Sequence, residues 1–150
     1  MDYEFLISDL NLNKSKKNIG TDKGLAKIGD GIVNLTYSVA KSIYLTKNNP
    51  NNTIVRTGKK VGKNILEVAL KNADMKTFAK TRANAHDLAD TVEALIAYVW
   101  LNNTISTKEI IDLLVENFSG NLYDRQEEIK SAILAFTNLL NHIKKFLPEK

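Results

Sequence analysis

The sequence predicts an all-α protein, and three observations support this prediction. The chain of 150 residues contains only two prolines and seven glycines. Apolar residues recur at spacings of three and four in several long segments, as they do on one face of a helix, while alternating strand-like segments are scarce. Residues that cap helices also precede these segments. Because the length is that of one domain, we expect residues 1–150 to form a single domain with one core.

The first half of the chain predicts three helical segments. A short amphipathic segment at 3–10 is followed by a polar linker to about Gly20. A long helix is expected over about 22–45, and a loop at 46–53 contains Pro50 and several asparagines, which favour turns. A third helix is expected over about 57–72. On the long helix, one face is predicted to carry Leu25, Ile28, Ile32, Leu35, Val39 and Ile43.

The second half predicts three further helices, each with a recognisable start. Asn84 is suited to cap a helix over about 84–101. Ser106 and Glu109 have the capping-box spacing, in which the two side chains satisfy free backbone donors of the first turn, and they predict a helix over 106–118. Gly120 interrupts the chain, and Asp124 is suited to cap a last helix within 122–147.

The composition excludes several classes of protein. There is no cysteine, which excludes disulfides, thiolate zinc sites and cysteine nucleophiles. No segment approaches the roughly 20 apolar residues that cross a bilayer. The amino-terminal residues include acids where a secretory signal has basic residues. We therefore expect a cytoplasmic protein with no membrane partner.

Basic residues are most concentrated in segment 56–82, within a chain of net charge +4. One interpretation is a solvated helix face. The other is a surface that contacts phosphates, because clustered cations gain affinity by releasing the counterions of a nucleic acid. The candidate contacts to RNA are Lys59, Lys60, Lys63 and Arg82.

The segment "LADTVEALIAYVWL" (88–101) is nearly all apolar, yet it contains Asp90 and Glu93. Burying a carboxylate without a partner costs several kcal/mol. If these acids are not simply exposed, we expect a positive partner, either a Lys or Arg side chain or a metal ion. A third acid, Asp30, stands near the start of the long helix, where by itself it would be interpreted as a surface residue.

Two segments carry a resemblance to a known family. "LADTVEALIAYVWL" resembles the second signature of the ribonuclease III catalytic domain, with its Asp-x-x-Glu-Ala-Leu-Ile core. "LAKIGDGIVNLTYSVA" (25–40) resembles the first signature, which is centred on Gly-Asp at the start of a long helix. The resemblance covers about residues 21–103, with additional helices at 106–147. It implies an all-α fold, the helical bundle of a ribonuclease III-like endonuclease domain.

The resemblance also implies a site and an activity. The family's ligands for divalent metal fall on Asp30, Asp90 and Glu93, which would bind Mg²⁺, with Mn²⁺ as a substitute. The implied activity is hydrolysis of double-stranded or structured RNA by a metal-dependent endoribonuclease, leaving 5′-phosphate and 3′-hydroxyl ends. The implied assembly is a homodimer.

Three positions depart from the family pattern. Ala26 stands where the first signature usually has a glutamate, and Lys23 occupies another acidic position. Lys27 replaces the aromatic residue that commonly contacts the partner subunit. An alanine at the first of these positions also occurs in the compact mini-ribonuclease III group, whose "LAYIGDA"-type motif is similar to "LAKIGDG". As in that group, we expect no double-stranded-RNA-binding domain after residue 103.

Three functions therefore remain open. The first is a compact endoribonuclease. The second is a catalytically degenerate ribonuclease III fold that binds RNA in ribosome or RNA assembly, which the three departures favour. The third is an all-α dimerisation module with no role in RNA binding.

Overall fold

The computed structural model describes residues 2–150, and within this range the chain forms helices and no strand. The all-α prediction is therefore confirmed. Short 3₁₀ helices lie at Glu4–Ile7, Lys76–Phe78 and Lys144–Phe146. The α-helices are α1 (Ser8–Leu12), α2 (Lys16–Gly20), α3 (Lys23–Lys47), α4 (Lys63–Asn72), α5 (Ala85–Leu101), α6 (Thr107–Asn117) and α7 (Arg125–Ile143). None of these helices is both long enough and apolar enough to cross a bilayer.

Each of the four longest helices, α3, α5, α6 and α7, begins at a side chain that accepts a hydrogen bond from a free backbone N–H group of the first turn. The predicted caps Asn84, Ser106 and Asp124 are all confirmed, since each accepts a hydrogen bond from the backbone N–H three residues later. Asn84 and Ser106 form complete capping boxes. Asp22 caps α3 in the same way, through Leu25 N at 2.8 Å. Such a cap stabilises a helix by about 1 kcal/mol.

Helices α3 and α5 cross at the centre of the molecule with their backbones in contact. A Cβ added to Gly29 of α3 would lie within the carbonyl group of Glu93 on α5 and only 2.8 Å from its Cα. Helix α5 is buried on almost every side, and its alanines, Ala89, Ala94 and Ala97, are within the core. Small residues on both helices therefore allow this close approach.

The predicted helix over 57–72 is wrong at its start, because α4 begins only at Lys63. The preceding segment, residues 53–62, has no helical hydrogen bonding. Instead, four polar side chains of α3, one per helical turn, accept hydrogen bonds of 2.8–2.9 Å from backbone N–H groups of alternate residues in this segment. The pairs are Asn34 with Val61, Ser38 with Lys59, Ser42 with Thr57 and Thr46 with Val55. We call this arrangement the side-chain ladder.

The side-chain ladder explains why the spacing of apolar residues predicted a helix that begins too early. The three hydroxyls also donate to the carbonyls of Lys59, Thr57 and Val55, so the backbone finds partners in both directions. When side chains of a neighbouring helix bond the N–H and C=O groups of a backbone segment, that segment can stay extended without helical hydrogen bonds of its own. The apolar Val61 thus packs into the core from an extended segment.

Two other expectations need correction. The polar linker to Gly20 contains α2, which Ser15 caps through Asn18 N at 3.0 Å. Thr91 of α5 donates to the carbonyl of Gly20 at 2.8 Å, so this short helix is fixed by tertiary contact.

The apolar face predicted for α3 is only partly buried. Leu25 and Ile32 lie in the core, but Ile28, Leu35 and Val39 are exposed, and 58% of Leu35 is accessible to solvent. The close crossing with α5 turns the small residues Ala26, Gly29 and Ala40 inward instead. We call Ile28, Leu35 and Val39 the exposed α3 stripe.

The crossing leads to a prediction for two neighbouring glycines. Gly29→Ala would push the backbones of α3 and α5 apart, so we expect the free energy of unfolding to fall by about 2 kcal/mol or more. Gly31 lies in the same helix with no atom within 4 Å of an added Cβ. We expect Gly31→Ala to raise stability by about 0.5–1 kcal/mol, since glycine is a poor helix former.

Urea denaturation of both variants measures the difference. Equal stability of the two alanine variants would contradict the close contact at Gly29.

Candidate active site

The crossing of α3 and α5 places two of the predicted acids face to face. Asp30 follows the contact residue Gly29, and Glu93 supplies the contact on α5. Their carboxyl groups are in hydrogen-bond contact with each other. Asp30 also accepts a hydrogen bond from Asn34 Nδ2 at 3.2 Å. Because the amide oxygen of Asn34 is the first rung of the side-chain ladder, the position of Asp30 is tied to the extended segment.

This pairing changes the acidity of Glu93. Burial raises the pKa of Glu93 to about 8, together with the hydrogen bond that its protonated carboxyl donates to Asp30 and the negative charges of Asp30 and Asp90, while the charge of Lys63 opposes the increase. An acid with this pKa keeps its proton at neutral pH in the absence of a cation. Two carboxyl groups that share a site in this way are a common feature of functional centres.

The third predicted acid, Asp90, has a different partner. Its Oδ2 lies 3.3 Å from Lys23 Nζ and 3.5 Å from His86 Nε2. Lys23 is thus the positive partner that a carboxylate on this apolar helix requires. Within residues 2–150, no three His, Asp or Glu side chains are arranged as a group that could hold a metal ion. The structure therefore brings Asp30 and Glu93 together and leaves Asp90 beside them, paired with a lysine.

All three acids line one cavity of about 470 Å³, and basic residues surround them. Two of the predicted RNA contacts, Lys60 and Lys63, line this cavity, and Lys63 Nζ contacts both ring nitrogens of His86. Lys59 lies next to Lys60 but lines a different cavity. Arg82 is exposed in the turn before α5, with a φ of 60°, and lines neither cavity.

Three further residues line this cavity that were not predicted as site residues: Lys23, Lys27 and His86. Lys23 and Lys27 precede Asp30 by seven and three residues, which are the spacings of one helix face, and His86 precedes Asp90 by four. These spacings could have identified them. His86 lies in the first turn of α5, and its ring lines the cavity. The buried methyl group of Ala26 lines the same wall.

The fold and the cavity together define an all-α protein with an acid pair inside a ring of cations. A family model described as Ribonuclease III matches residues 23–148 of the chain. No curated protein matches it. The chain belongs to the ribonuclease III family, whose activity is in general the endonucleolytic cleavage of double-stranded RNA and generally depends on divalent metal.

The acid pair leads to a prediction for the metal-free protein. We expect Glu93 to titrate with a pKa of about 8 in carbon-detected NMR spectra, and Asp30→Asn to lower that pKa because one negative charge is removed. Since the folded-state pKa lies above the ordinary glutamate pKa of 4.5, folding keeps a proton that the unfolded chain releases. Stability should therefore fall as pH rises from about 4.5 to about 8.

Glu116→Gln, an exposed acid on α6, provides the control and should leave this pH dependence unchanged. A Glu93 titration near 4.5 would contradict the buried pairing.

Proposed function

We propose that this chain is a metal-dependent endoribonuclease that hydrolyses double-stranded or structured RNA to 5′-phosphate and 3′-hydroxyl ends. One observation carries the proposal: Asp30 and Glu93 meet within a cavity that four lysines and only one further acid, Asp90, also line. The acid pair suits a metal ion, and the surrounding cations suit the phosphates of the substrate. The cytoplasmic location stays a prediction from composition.

The donor set fits a divalent cation of the Mg²⁺ type. Magnesium prefers oxygen ligands, keeps several waters and needs only one or two carboxylates from the protein. Asp30 and Glu93 would hold the ion, and the repulsion that raises the pKa of Glu93 would then be relieved. Mn²⁺ has similar ligand preferences and would substitute. The bound ion would activate water and stabilise the leaving oxygen.

Asp90 would join this ligand set when Lys23 moves away. The Lys23 side chain is 66% exposed, and an exposed ion pair contributes only about 0–1 kcal/mol, so it is easily exchanged. A substrate phosphate would offer Lys23 an alternative partner. Lys60 and Lys63 would contact other phosphates on the opposite wall. Because A-form RNA is recognised mainly by shape, we expect little sequence selectivity.

The homodimer also belongs to this proposal. The exposed α3 stripe lies on the same helix as Asp30. Val39 of the stripe and the exposed Ile54 of the extended segment line a separate, largely apolar surface groove. Adjacent exposed apolar side chains of this kind mark protein–protein contacts. We propose that two copies of α3 meet through this stripe. This interface does not require the aromatic residue that Lys27 replaces.

The proposed activity predicts a specific pattern of loss. Purified protein should cut varied duplex RNAs with Mg²⁺ or Mn²⁺ but not with EDTA. Asp30→Asn and Glu93→Gln should lower the cleavage rate at least about 100-fold, because metal-site carboxylates are lost. Cleavage is measured on end-labelled RNA, and the end groups by phosphatase and ligase sensitivity.

Glu116→Gln is the matched control and should cut like the unmodified chain. If no duplex is cut with either metal, the catalytic proposal fails.

The second candidate, RNA binding without cleavage, is favoured by Lys23, which already neutralises Asp90, and by Ala26. It predicts a salt-dependent RNA affinity that EDTA and the acid substitutions leave unchanged. If the chain neither cuts nor binds duplex RNA, only the third candidate, a dimerisation module without a role in RNA binding, remains.

The proposed interface predicts the effect of a charge in the stripe. Leu35→Glu should convert the dimer to a monomer in light scattering after size exclusion, because a buried glutamate without a partner opposes association. Leu134→Glu, at another exposed leucine on α7, should leave the dimer intact. Unmodified protein that is monomeric at micromolar concentration would refute the homodimer.

A further inference from the structure

A second cavity, of about 430 Å³, lies between α3, the extended segment 53–62 and the start of α7. It shares no lining residue with the cavity that contains Asp30 and Glu93. Four cations line it, together with one acid and one exposed aromatic ring. These residues are Lys41, Arg56, Lys59, Arg125, Glu128 and Tyr123. Its titratable side chains therefore carry a net positive charge.

The acid in this cavity organises two of the cations. Glu128 is almost fully buried, and its Oε2 accepts hydrogen bonds of 2.8 Å from the Tyr37 hydroxyl and from Lys41 Nζ. Its Oε1 accepts from Arg125 Nη1 at 3.1 Å. Burial opposes ionisation of Glu128, but the hydrogen bonds from Lys41 and Tyr37 outweigh it and lower the pKa. The carboxylate thus stays charged and fixes Lys41 and Arg125 at one wall.

The other two cations have no counterion among the described residues. The side chains of Arg56 and Lys59 make no hydrogen bond or ion pair within residues 2–150. The backbone of Lys59 is nevertheless fixed by two hydrogen bonds with the Ser38 hydroxyl, one rung of the side-chain ladder. The ladder therefore holds cations next to the organised pair. Four cationic side chains, two lysines and two arginines, thus line the same cavity.

The chemistry of the cavity favours phosphate. Arg125 uses one guanidinium nitrogen for Glu128, and its side chain is 49% exposed, so further donors are accessible. Planar guanidinium groups bind phosphate oxygens through paired N–H donors. Arg56 offers a second such group on the opposite wall. A bound phosphate would relieve the mutual repulsion of these cations.

An exposed ring at the rim suggests that the phosphate belongs to a nucleotide. Tyr123 is 71% exposed, and its backbone N–H donates to Asn121 Oδ1 at 3.0 Å, which fixes the turn before α7. Unpaired bases stack on such rings, whereas bases within a duplex are not accessible to them. The ring and the cations together suit an unpaired nucleotide.

The position of the cavity is consistent with one continuous RNA site. Lys41 follows Asp30 by eleven residues, which places both on the same face of α3, separated by about 16 Å along the helix axis. Lys60 of the first cavity and Lys59 of the second are adjacent in the extended segment, so a strand that passes over this segment would reach both cavities.

We propose that the cavity formed by Lys41, Arg56, Lys59 and Arg125 binds a backbone phosphate of an unpaired nucleotide that flanks the duplex, with its base on Tyr123. This inference rests on the proposed function, because it assumes that RNA is the ligand. It gives the chain a preference for duplexes with single-stranded extensions.

The test compares two RNAs, a blunt duplex and the same duplex with single-stranded tails. The full chain with Glu93→Gln is used so that RNA is bound and not cut, and affinity is measured by fluorescence anisotropy at several salt concentrations. Arg56→Gln should weaken binding of tailed RNA several-fold and lower the salt slope by about one, as expected when one phosphate contact is lost.

The aromatic ring has its own test. Tyr123→Ala should weaken binding of tailed RNA about tenfold, because the stacking of an unpaired base on the ring is lost, and should leave affinity for the blunt duplex unchanged. Tyr123→Phe should retain the preference for tails.

Lys130→Gln is the matched control, since Lys130 is exposed on α7 and does not line the cavity. Arg125→Gln also removes a partner of buried Glu128, so its thermal stability is measured alongside. Arg56 has no internal partner, and its substitution leaves the fold intact.

Three results would overturn the inference. The first is equal affinity for tailed and blunt RNA, and the second is unchanged RNA affinity in both Arg56→Gln and Tyr123→Ala. The third is saturable binding of inorganic phosphate that Arg56→Gln abolishes while RNA affinity stays the same. The outcome is separable from the proposed function: a chain that prefers tails through Arg56 and never cuts supports this site and refutes the nuclease.

Discussion

The backbone contact between Gly29 and Glu93 is the constraint on which the rest of the structure depends. It brings α3 and α5 closer than side chains would allow, and the residue after Gly29 on α3 is Asp30. A carboxylate on each helix is thereby placed at the narrowest point of the crossing. The raised pKa of Glu93 follows from the same geometry, because burial and the Asp30 carboxyl both act on it. A wider crossing would separate the acids and remove the site.

The side-chain ladder is the second constraint on the two candidate sites. It lies along α3 from Asn34 to Thr46 and fixes an extended segment rich in cations. At one end, Asn34 also positions Asp30. Farther along, Ser38 holds Lys59 at the wall of the second cavity. One helix thus organises an acidic centre and a basic centre through its polar face, while its small residues face the core.

The balance of charge in the acidic cavity explains why two functions compete. Lys23 pairs with Asp90, and within residues 2–150 the three acids do not form a ready-made group of metal ligands. The same lysine is largely exposed and lies beside an acid pair that keeps a proton at neutral pH. The proposed binding of a divalent cation between Asp30 and Glu93 would relieve the repulsion between the two acids.

Much of this architecture was determined by the sequence alone. Helix order, the caps at Asn84, Ser106 and Asp124, and the oddity of Asp90 and Glu93 all follow from local rules, since capping and apolar periodicity act within a few residues. The family resemblance added Asp30, which lies within the residues that the family model matches, and its role as a metal ligand stays a prediction. The extended conformation of 53–62 was not predictable, because its hydrogen-bond partners lie on a different helix.

Only the tertiary structure decided which charges meet. Lys23, Lys27 and His86 join the acids because two helices cross at a glycine. Lys41 of α3 and Arg125 of α7 are brought together because both donate to Glu128. The exposure of Leu35 has the same origin, since the direction of closest approach, and not hydrophobicity, selects the buried face of α3. Sequence patterns specify which faces a helix has, but contacts between distant segments determine which face is used.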